Sequence, residues 1–431
     1  MEKISIYLFR RLNIIIIMTF MLMVSIGLWY NLTNQYTNWG TGDGKYADQV
    51  DSFSEYIIRN TVLNNIIGTE NKGGSLIFTK GYPEEDYNYY PDLTEKYLSN
   101  RGSQVIIYEA IANLNKNLFI KYYEKYFEIF RFINSLLVIV CASTFFLSFF
   151  GRNSIALFGV FLFSISGGIA LFASNLYFTI WCFFTPLLCF PFLQRGYHII
   201  YIFSALLFSL LYFSVRYEFA TTFALMWLFP LVVLTLKGKT ADLQIGISVF
   251  IAVCIGFLIA VFLHLRSVSQ EFDVTIREAS VYIFRNLRRV ASMEDVPFPF
   301  SLDFFRWIKQ RWVMTGWSLP YLFSITKLFL LIAFLIIMFQ GKESKIFPIL
   351  VWSLIAYVSW YVFGYQHIMW HYPYDSILFA STIQLALIVY IMSKISRLLA
   401  TLAASHEKKT EEASDHSCRR NASLIDATPV R

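Results

Sequence analysis

The chain has 431 residues, of which 56% are hydrophobic, 19% aromatic and only 15% charged. Soluble domains average roughly 25% charged residues, and here the charges cluster between apolar runs that match the ~20 residues needed to cross ~30 Å of hydrocarbon, so a soluble globular enzyme is excluded. The formal charge of +7 does not point to nucleic acid, because the lysines and arginines lie in short segments between apolar runs and form no basic stripe.

The pattern predicts an all-α polytopic membrane protein of about ten transmembrane helices. The expected spans are 12–32, 132–150, 154–173, 176–193, 198–215, 219–236, 245–265, 319–340, 346–366 and 376–394. The first run follows Arg10 and Arg11 and ends at Trp29-Tyr30-Asn31, which is no small-residue cleavage site, so it reads as a retained helix. Arg152, Arg195, Lys237, Lys239, Lys342 and Lys345 all fall on the side of the N-terminus, and among the short turns of the other side only Arg216 is basic. The positive-inside rule therefore places both termini in the cytoplasm. Cys141, Cys182, Cys189 and Cys254 lie in apolar runs and Cys418 lies in the tail, so no outer pair is available for a disulfide.

Two outer stretches interrupt the spans. Residues 33–131 carry thirteen acidic and ten basic residues. Helical spacing at Ala47, Val50, Phe53 and Ile57, and again over Val105–Ile129, predicts two helices joined by an irregular Gly68–Pro91 loop. Residues 266–318 carry eight basic and six acidic residues with Trp307, Trp312 and Trp317, and read as helices on the membrane surface. After Lys394 the aromatics largely disappear, and residues 395–431 read as a disordered cytoplasmic tail.

Candidate chemistry begins just past the first span, where Asp43 stands between Gly42 and Gly44 ahead of an amphipathic helix. An Asp there caps the helix N-terminus; the same rigid carboxylate can also act as a general base. Asp48 either lies on the solvated face or adds to a polar site. Arg216 and Glu218 occupy a turn between two apolar runs, where they either pair with each other or leave Arg216 to hold an anionic phosphate through its donor fork. Lys327 lies inside a span, and either snorkels or turns into the bundle toward the same phosphate. Arg285, Arg288 and Arg289 share a helical face suited to lipid headgroups. His367, His371 and Asp375 recur every four residues, but Pro373 breaks the helix that would align them for a metal. They are read as site-lining or interfacial groups, and neither a metal nor a cofactor is expected. No H-E-x-x-H, G-x-S-x-G, P-loop or dinucleotide fingerprint occurs.

These residues resemble a family. Asp43-Gly44-Lys45-Tyr46-Ala47 resembles the D-E-x-x-Y-A-like segment that opens the first outer loop of GT-C glycosyltransferases, with Gly44 in place of the second acidic residue. Ser174-Asn175-Leu176-Tyr177-Phe178 is similar to their S-x-N-L-Y-W segment. Arg216-Tyr217-Glu218-Phe219 resembles their G-Y-E-F/Y turn, and His367 with its following aromatics resembles their late H-x-x-x-H segment.

The resemblance implies one GT-C-like transmembrane domain over residues 1–394, multi-pass in a bacterial inner (plasma) membrane. It would move a sugar from a polyprenyl-phosphate carrier to an envelope glycan or lipid acceptor on the outer face, in polysaccharide biosynthesis. Asp43 is then the catalytic base, and Arg216, Glu218, Lys327, Arg288, His367 and Asp48 bind substrate. A lipid-linked saccharide transporter (flippase) and a non-enzymatic membrane assembly protein are the alternatives.

Overall fold

A computed structural model describes residues 2–29, 52–67, 76–79, 94–97, 101–151, 153–239, 242–291, 315–318, 324–340, 345–364 and 374–425. Helices dominate. Five helical stretches are long and apolar enough to cross a membrane: Tyr123–Phe150, His198–Val215, Ala220–Lys237, Leu243–Phe272 and Asp375–Ser405. Shorter apolar helical stretches are Asn13–Trp29, Asn153–Ser164, Ile180–Gln194, Lys327–Gln340 and Phe347–Phe363. The chain is a membrane protein.

Helix α1 (Glu2–Trp29) packs on the long α5 (Tyr123–Phe150). Between them come α2 (Ser52–Ile67), strands β1 (Leu76–Thr79) and β2 (Thr94–Tyr97), α3 (Gln104–Asn113) and α4 (Lys116–Lys121). The stretch between the first two spans is therefore richer than two helices and a loop. Its middle is bridged by an antiparallel pairing of Leu76 to Tyr97 through Thr79 to Thr94. The single helix expected over Val105–Ile129 is cut at Asn115, whose side chain accepts the Leu118 N–H at 3.1 Å and so starts a new helix.

Helix α6 (Asn153–Ser164) and α7 (Gly167–Phe172) form one interrupted stretch, followed by a 3-10 segment (Ile180–Phe184) and α8 (Thr185–Gln194). Helix α9 (His198–Val215) packs along α12 (Leu243–Phe272), with the broken α10 (Ala220–Met226) and α11 (Phe229–Val233) between them in sequence. Helix α12 starts where Asp242 accepts the N–H groups of Gln244 and Ile245 at 2.9 and 3.2 Å. It buries Val249, Val253, Gly256 and Ala260 and exposes Ile247, Ile251, Leu258 and Phe262, the division expected of a helix with one protein face and one lipid face. Gly256 permits the close approach, because a Cβ there would lie 2.9 Å from the Leu206 carbonyl.

Asp273 turns the chain in a left-handed conformation (φ 51°), and α13 (Ile276–Ala291) folds back to bury Ala279 and Ile283 against Val268. Its first turn is a reciprocal cap. The Thr275 N–H and hydroxyl both donate to Glu278 Oε2 at 2.8 Å, and the Glu278 N–H donates to Thr275 Oγ1 at 3.3 Å. Those donors hold the exposed Glu278 carboxyl below its ordinary pKa. A depressed folded-state value means that the cap is complete above the ordinary carboxylate range and is lost as pH falls through the folded value. Amide exchange at Thr275 is expected to accelerate over that acid window, and Glu278→Gln should flatten the pH response; an unchanged profile would contradict the cap.

The expected span 319–340 becomes a hairpin of β3 (Thr315–Ser318) and β4 (Ser324–Thr326) that leads into α14 (Lys327–Gln340). Trp317 is not a surface anchor but is buried, and its Nε1 donates to Ser166 Oγ at 3.1 Å where α6 gives way to α7. Helix α15 (Phe347–Phe363) precedes α16 (Asp375–Phe379), a π-helical segment (Ala380–Gln384) and α17 (Leu385–Ile425). Against the expected unstructured tail, α17 runs on to Ile425. Residues 395–425 contain neither Gly nor Pro, and more than half of them are Ala, Leu, Glu, Lys or Arg, which favours helix in water as well.

Helices α7 and α16 cross at Gly168, where a Cβ would fall well inside contact with the Ser376 carbonyl and 2.6 Å from the Ile377 nitrogen. Backbone cannot yield as a side chain does, so Gly168→Ala is expected to destabilise by about 1–3 kcal/mol. Thermal unfolding in detergent reads the loss; an unchanged midpoint would mean that the crossing is looser than described.

Candidate functional site

Helical structure lapses between α7 and the 3-10 segment, over Ala173–Thr179. Backbone that leaves a helix within an apolar bundle needs new partners, and several are supplied here. Asn175 Oδ1 accepts the N–H groups of Tyr177 and Phe178 at 2.9 and 2.8 Å. Glu55 of α2 accepts the Leu176 N–H at 2.9 Å. Asn134 of α5 donates to the Asn175 carbonyl at 3.1 Å, and Gln104 of α3 donates to the Tyr177 carbonyl at 3.1 Å. Glu55 is itself paired with Arg131, which also reaches Glu128 at 2.6 Å; Trp29 at the end of α1 donates to Glu128 at 2.9 Å. Three helices thus fix the loop, with α1 bracing the ion pairs behind it, and the loop fixes Phe178.

Phe178 forms one wall around Arg216, which follows the last residue of α9. The guanidinium carbon lies 4.3 Å from the Phe178 ring centre, 5.8 Å from Tyr212 and 5.9 Å from Phe219. Arg216 is 1% exposed, and its Nε and both terminal nitrogens make no hydrogen bond of ordinary geometry among the described residues. The expected pairing with Glu218 is not formed. Tyr212, close to the guanidinium, instead donates its hydroxyl to the Glu218 carbonyl, and the Glu218 carboxylate accepts from Tyr177 at 3.4 Å.

Cation–π contact offsets about 0.5–2 kcal/mol, well short of the cost of burying a guanidinium without an anion. Two bulky residues beside the cage, Thr179 (φ 41°) and Phe219 (φ 62°), are held in left-handed backbone. Such strain persists only where surrounding structure enforces it, and it clusters at ligand sites. The site is therefore a buried, aromatic-walled cation with no anion beside it among the described residues, and its donor fork suits a phosphate or carboxylate.

A second ionic cluster adjoins it. Lys327 Nζ donates to Asp375 Oδ2 at 2.6 Å with both side chains buried, and the Tyr357 and Tyr361 hydroxyls donate to Asp375 Oδ1, the former at 2.8 Å. Lys327 is thus neutralised by a carboxylate and does not snorkel. Tyr374, next to Asp375, lies 4.7 Å from Phe178 and 6.2 Å from Phe219, centre to centre, so the clusters share an aromatic wall.

The structure brings Arg216, Glu218 and, through Tyr374, Lys327 together. Asp43, Asp48 and His367 lie outside the described residues. Arg288 belongs to α13 by its backbone, and its side chain also lies outside them. Among the described residues no three metal-ligating side chains converge. Sequence reading missed Asn134, Gln104 and Glu55, for which the available signal was a polar residue at an apolar-run boundary, and Tyr357 and Tyr361, which carry none. Compared with known protein families, curated proteins and solved structures, the chain matches none.

Proposed function

We propose that the chain is a GT-C-like glycosyltransferase that moves a sugar from a polyprenyl-phosphate donor to an envelope glycan or lipid acceptor at the outer face of a bacterial inner membrane. The observation that supports this reading is Arg216, a buried cation that meets aromatic rings and no anion among the described residues, beside strained backbone. In the proposed arrangement the shorter apolar helices also cross, giving about ten spans, and the Arg216 end faces outward by the positive-inside rule.

The acceptor oxygen attacks the anomeric carbon while the bond from that carbon to the phosphate oxygen breaks, and the lipid phosphate leaves with the electron pair. Asp43 takes the acceptor proton, with Asp48 nearby in sequence. Arg216 stabilises the charge gathering on the leaving phosphate, a preorganised electrostatic effect that replaces a strong general acid. Lys327, held by Asp375, supports the cage wall rather than the phosphate. Glu218 orders the Arg216 turn, and Arg288 and His367 contact lipid or glycan at its margin.

Helix interruptions beside the cage favour a second reading, movement of a lipid-linked saccharide across the membrane. One assay separates the two. Purified protein in lipid, given radiolabelled polyprenyl-phosphate sugar, is expected to release the sugar to an acceptor or to water. Label that crosses the bilayer with its donor intact supports the transporter; label that does neither sinks both readings.

A further inference from the structure

Next to the Arg216 cage, α3, α5, α9 and the 3-10 segment line a cavity of about 70 Å³. Its walls are almost wholly apolar, formed by Ile107, Phe130, Ile133, Leu211 and Val215, with no charged residue among the lining. Ile107 and Ile133 are 45% and 37% exposed, so the mouth faces the surface that α5 presents to hydrocarbon.

Polar groups of Gln104, Tyr108, Asn134, Thr179 and Cys182 interrupt the apolar lining; of these, Gln104 and Thr179, both 2% exposed, keep polar atoms without a hydrogen bond of ordinary geometry among the described residues. Gln104 uses its amide N–H on the Tyr177 carbonyl and leaves Oε1 without a partner; Thr179 Oγ1 makes no hydrogen bond of ordinary geometry. The Cys182 thiol lies near Thr179, but a thiol is a weak donor. An unsatisfied buried acceptor costs roughly 1–3 kcal/mol, and Thr179 is held in place by a left-handed backbone that a β-branched residue rarely adopts. The lining thus offers one acceptor and one hydroxyl that both donates and accepts, with apolar walls leading away from them.

We infer that this cavity binds the hydroxyl end of an uncharged long-chain alcohol drawn from the membrane. The alcohol donates to Gln104 Oε1 and accepts from Thr179 Oγ1, and its chain leaves between Ile107 and Ile133. A water site needs roughly 10–15 Å³, so the space takes a hydroxyl and several methylenes. The absence of charge among the lining residues disfavours a phosphate, which belongs at Arg216 instead. Binding requires neither donor nor turnover, so this inference and the transfer reaction succeed or fail separately.

Trp181 lines the cavity and gives the readout. Full-length protein in detergent is titrated with bromine-tagged dodecanol, and the Trp181 signal is isolated by subtracting the Trp181→Phe variant. Saturable quenching is expected, with affinity weakened roughly 2- to 10-fold by Thr179→Val and by Gln104→Leu, the size of one neutral hydrogen bond each. Val215→Phe, which fills the space, should abolish saturation while thermal unfolding remains cooperative. Bromododecane should quench without saturating. Quenching indifferent to Thr179→Val and Gln104→Leu would mean contact with detergent and a cavity holding water, and tighter binding of bromododecyl phosphate than of the alcohol would mean an anionic lipid; either overturns the inference.

Discussion

In Asp43→Asn protein, sugar transfer is expected to fall by roughly 10²- to 10⁴-fold, the usual contribution of a general base, while expression and donor binding persist. Asparagine keeps the size of the carboxylate and most of its capping ability but loses its charge and basicity. A helix cap contributes about 0.5–2 kcal/mol, most of which Asn retains, so folding survives. The barrier rise equals about 3–5 kcal/mol. The flanking glycines, Gly42 and Gly44, leave a carboxylate at this position unobstructed by neighbouring side chains. If the Asn variant transfers sugar at the wild-type rate, Asp43 is a cap, and Asp48 becomes the next carboxylate to test.

Removing one partner of the Lys327–Asp375 pair is expected to destabilise the protein by about 3–5 kcal/mol, because the charge left behind stays buried and has lost the opposite charge that faces it. Asp375→Asn takes the carboxylate from the Lys327 ammonium, and Lys327→Met takes the ammonium from a carboxylate that the Tyr357 and Tyr361 hydroxyls also reach. The double variant should recover most of the loss, since Asn still accepts from Tyr357 and Tyr361 and no bare charge remains. Denaturant unfolding in micelles measures all three. Additive losses in the double variant would mean that the two residues do not act as a pair. Because Tyr374 walls both clusters, the single variants should also lower the affinity for an anionic lipid.

Hydropathy made the long helices legible, since their apolar runs report directly on burial in lipid. The expected 245–265 falls within α12, and 132–150 matches the C-terminal two thirds of α5. Breaks within spans were less visible. Gly168 lets α7 pack closely on Ser376, but nothing in the sequence nearby announced that the helix lapses at Ser166 to bridge Trp317. Span 319–340 was read from hydropathy alone, and hydropathy cannot distinguish a buried hairpin strand from the first turns of a helix.

Charge partners were the least legible, because pairing depends on the tertiary path. Glu218 stands two residues from Arg216 and appeared to be its natural partner; the strained turn instead gives Glu218 to Tyr177 and points Arg216 beneath Phe178. Asp375 fell in register with His367 and His371, yet its ion partner is Lys327, at the start of another helix. The Asn175 loop showed as a motif, but the residues that hold it, Glu55, Gln104 and Asn134, come from three separate helices.

The central claim is that Arg216 receives a lipid-borne phosphate, and binding tests it without requiring a reaction. Polyprenyl phosphate and the matching uncharged polyprenol are titrated into wild-type and Arg216→Gln protein in micelles, with folding checked by thermal unfolding. Hydrogen bonds to charged groups contribute about 1.5–3 kcal/mol, so wild-type protein should prefer the phosphate by roughly 10- to 100-fold, and Arg216→Gln should erase that preference while binding the polyprenol as before. Equal affinity of wild-type protein for the two lipids, or an undiminished phosphate preference in folded Arg216→Gln, would contradict the account.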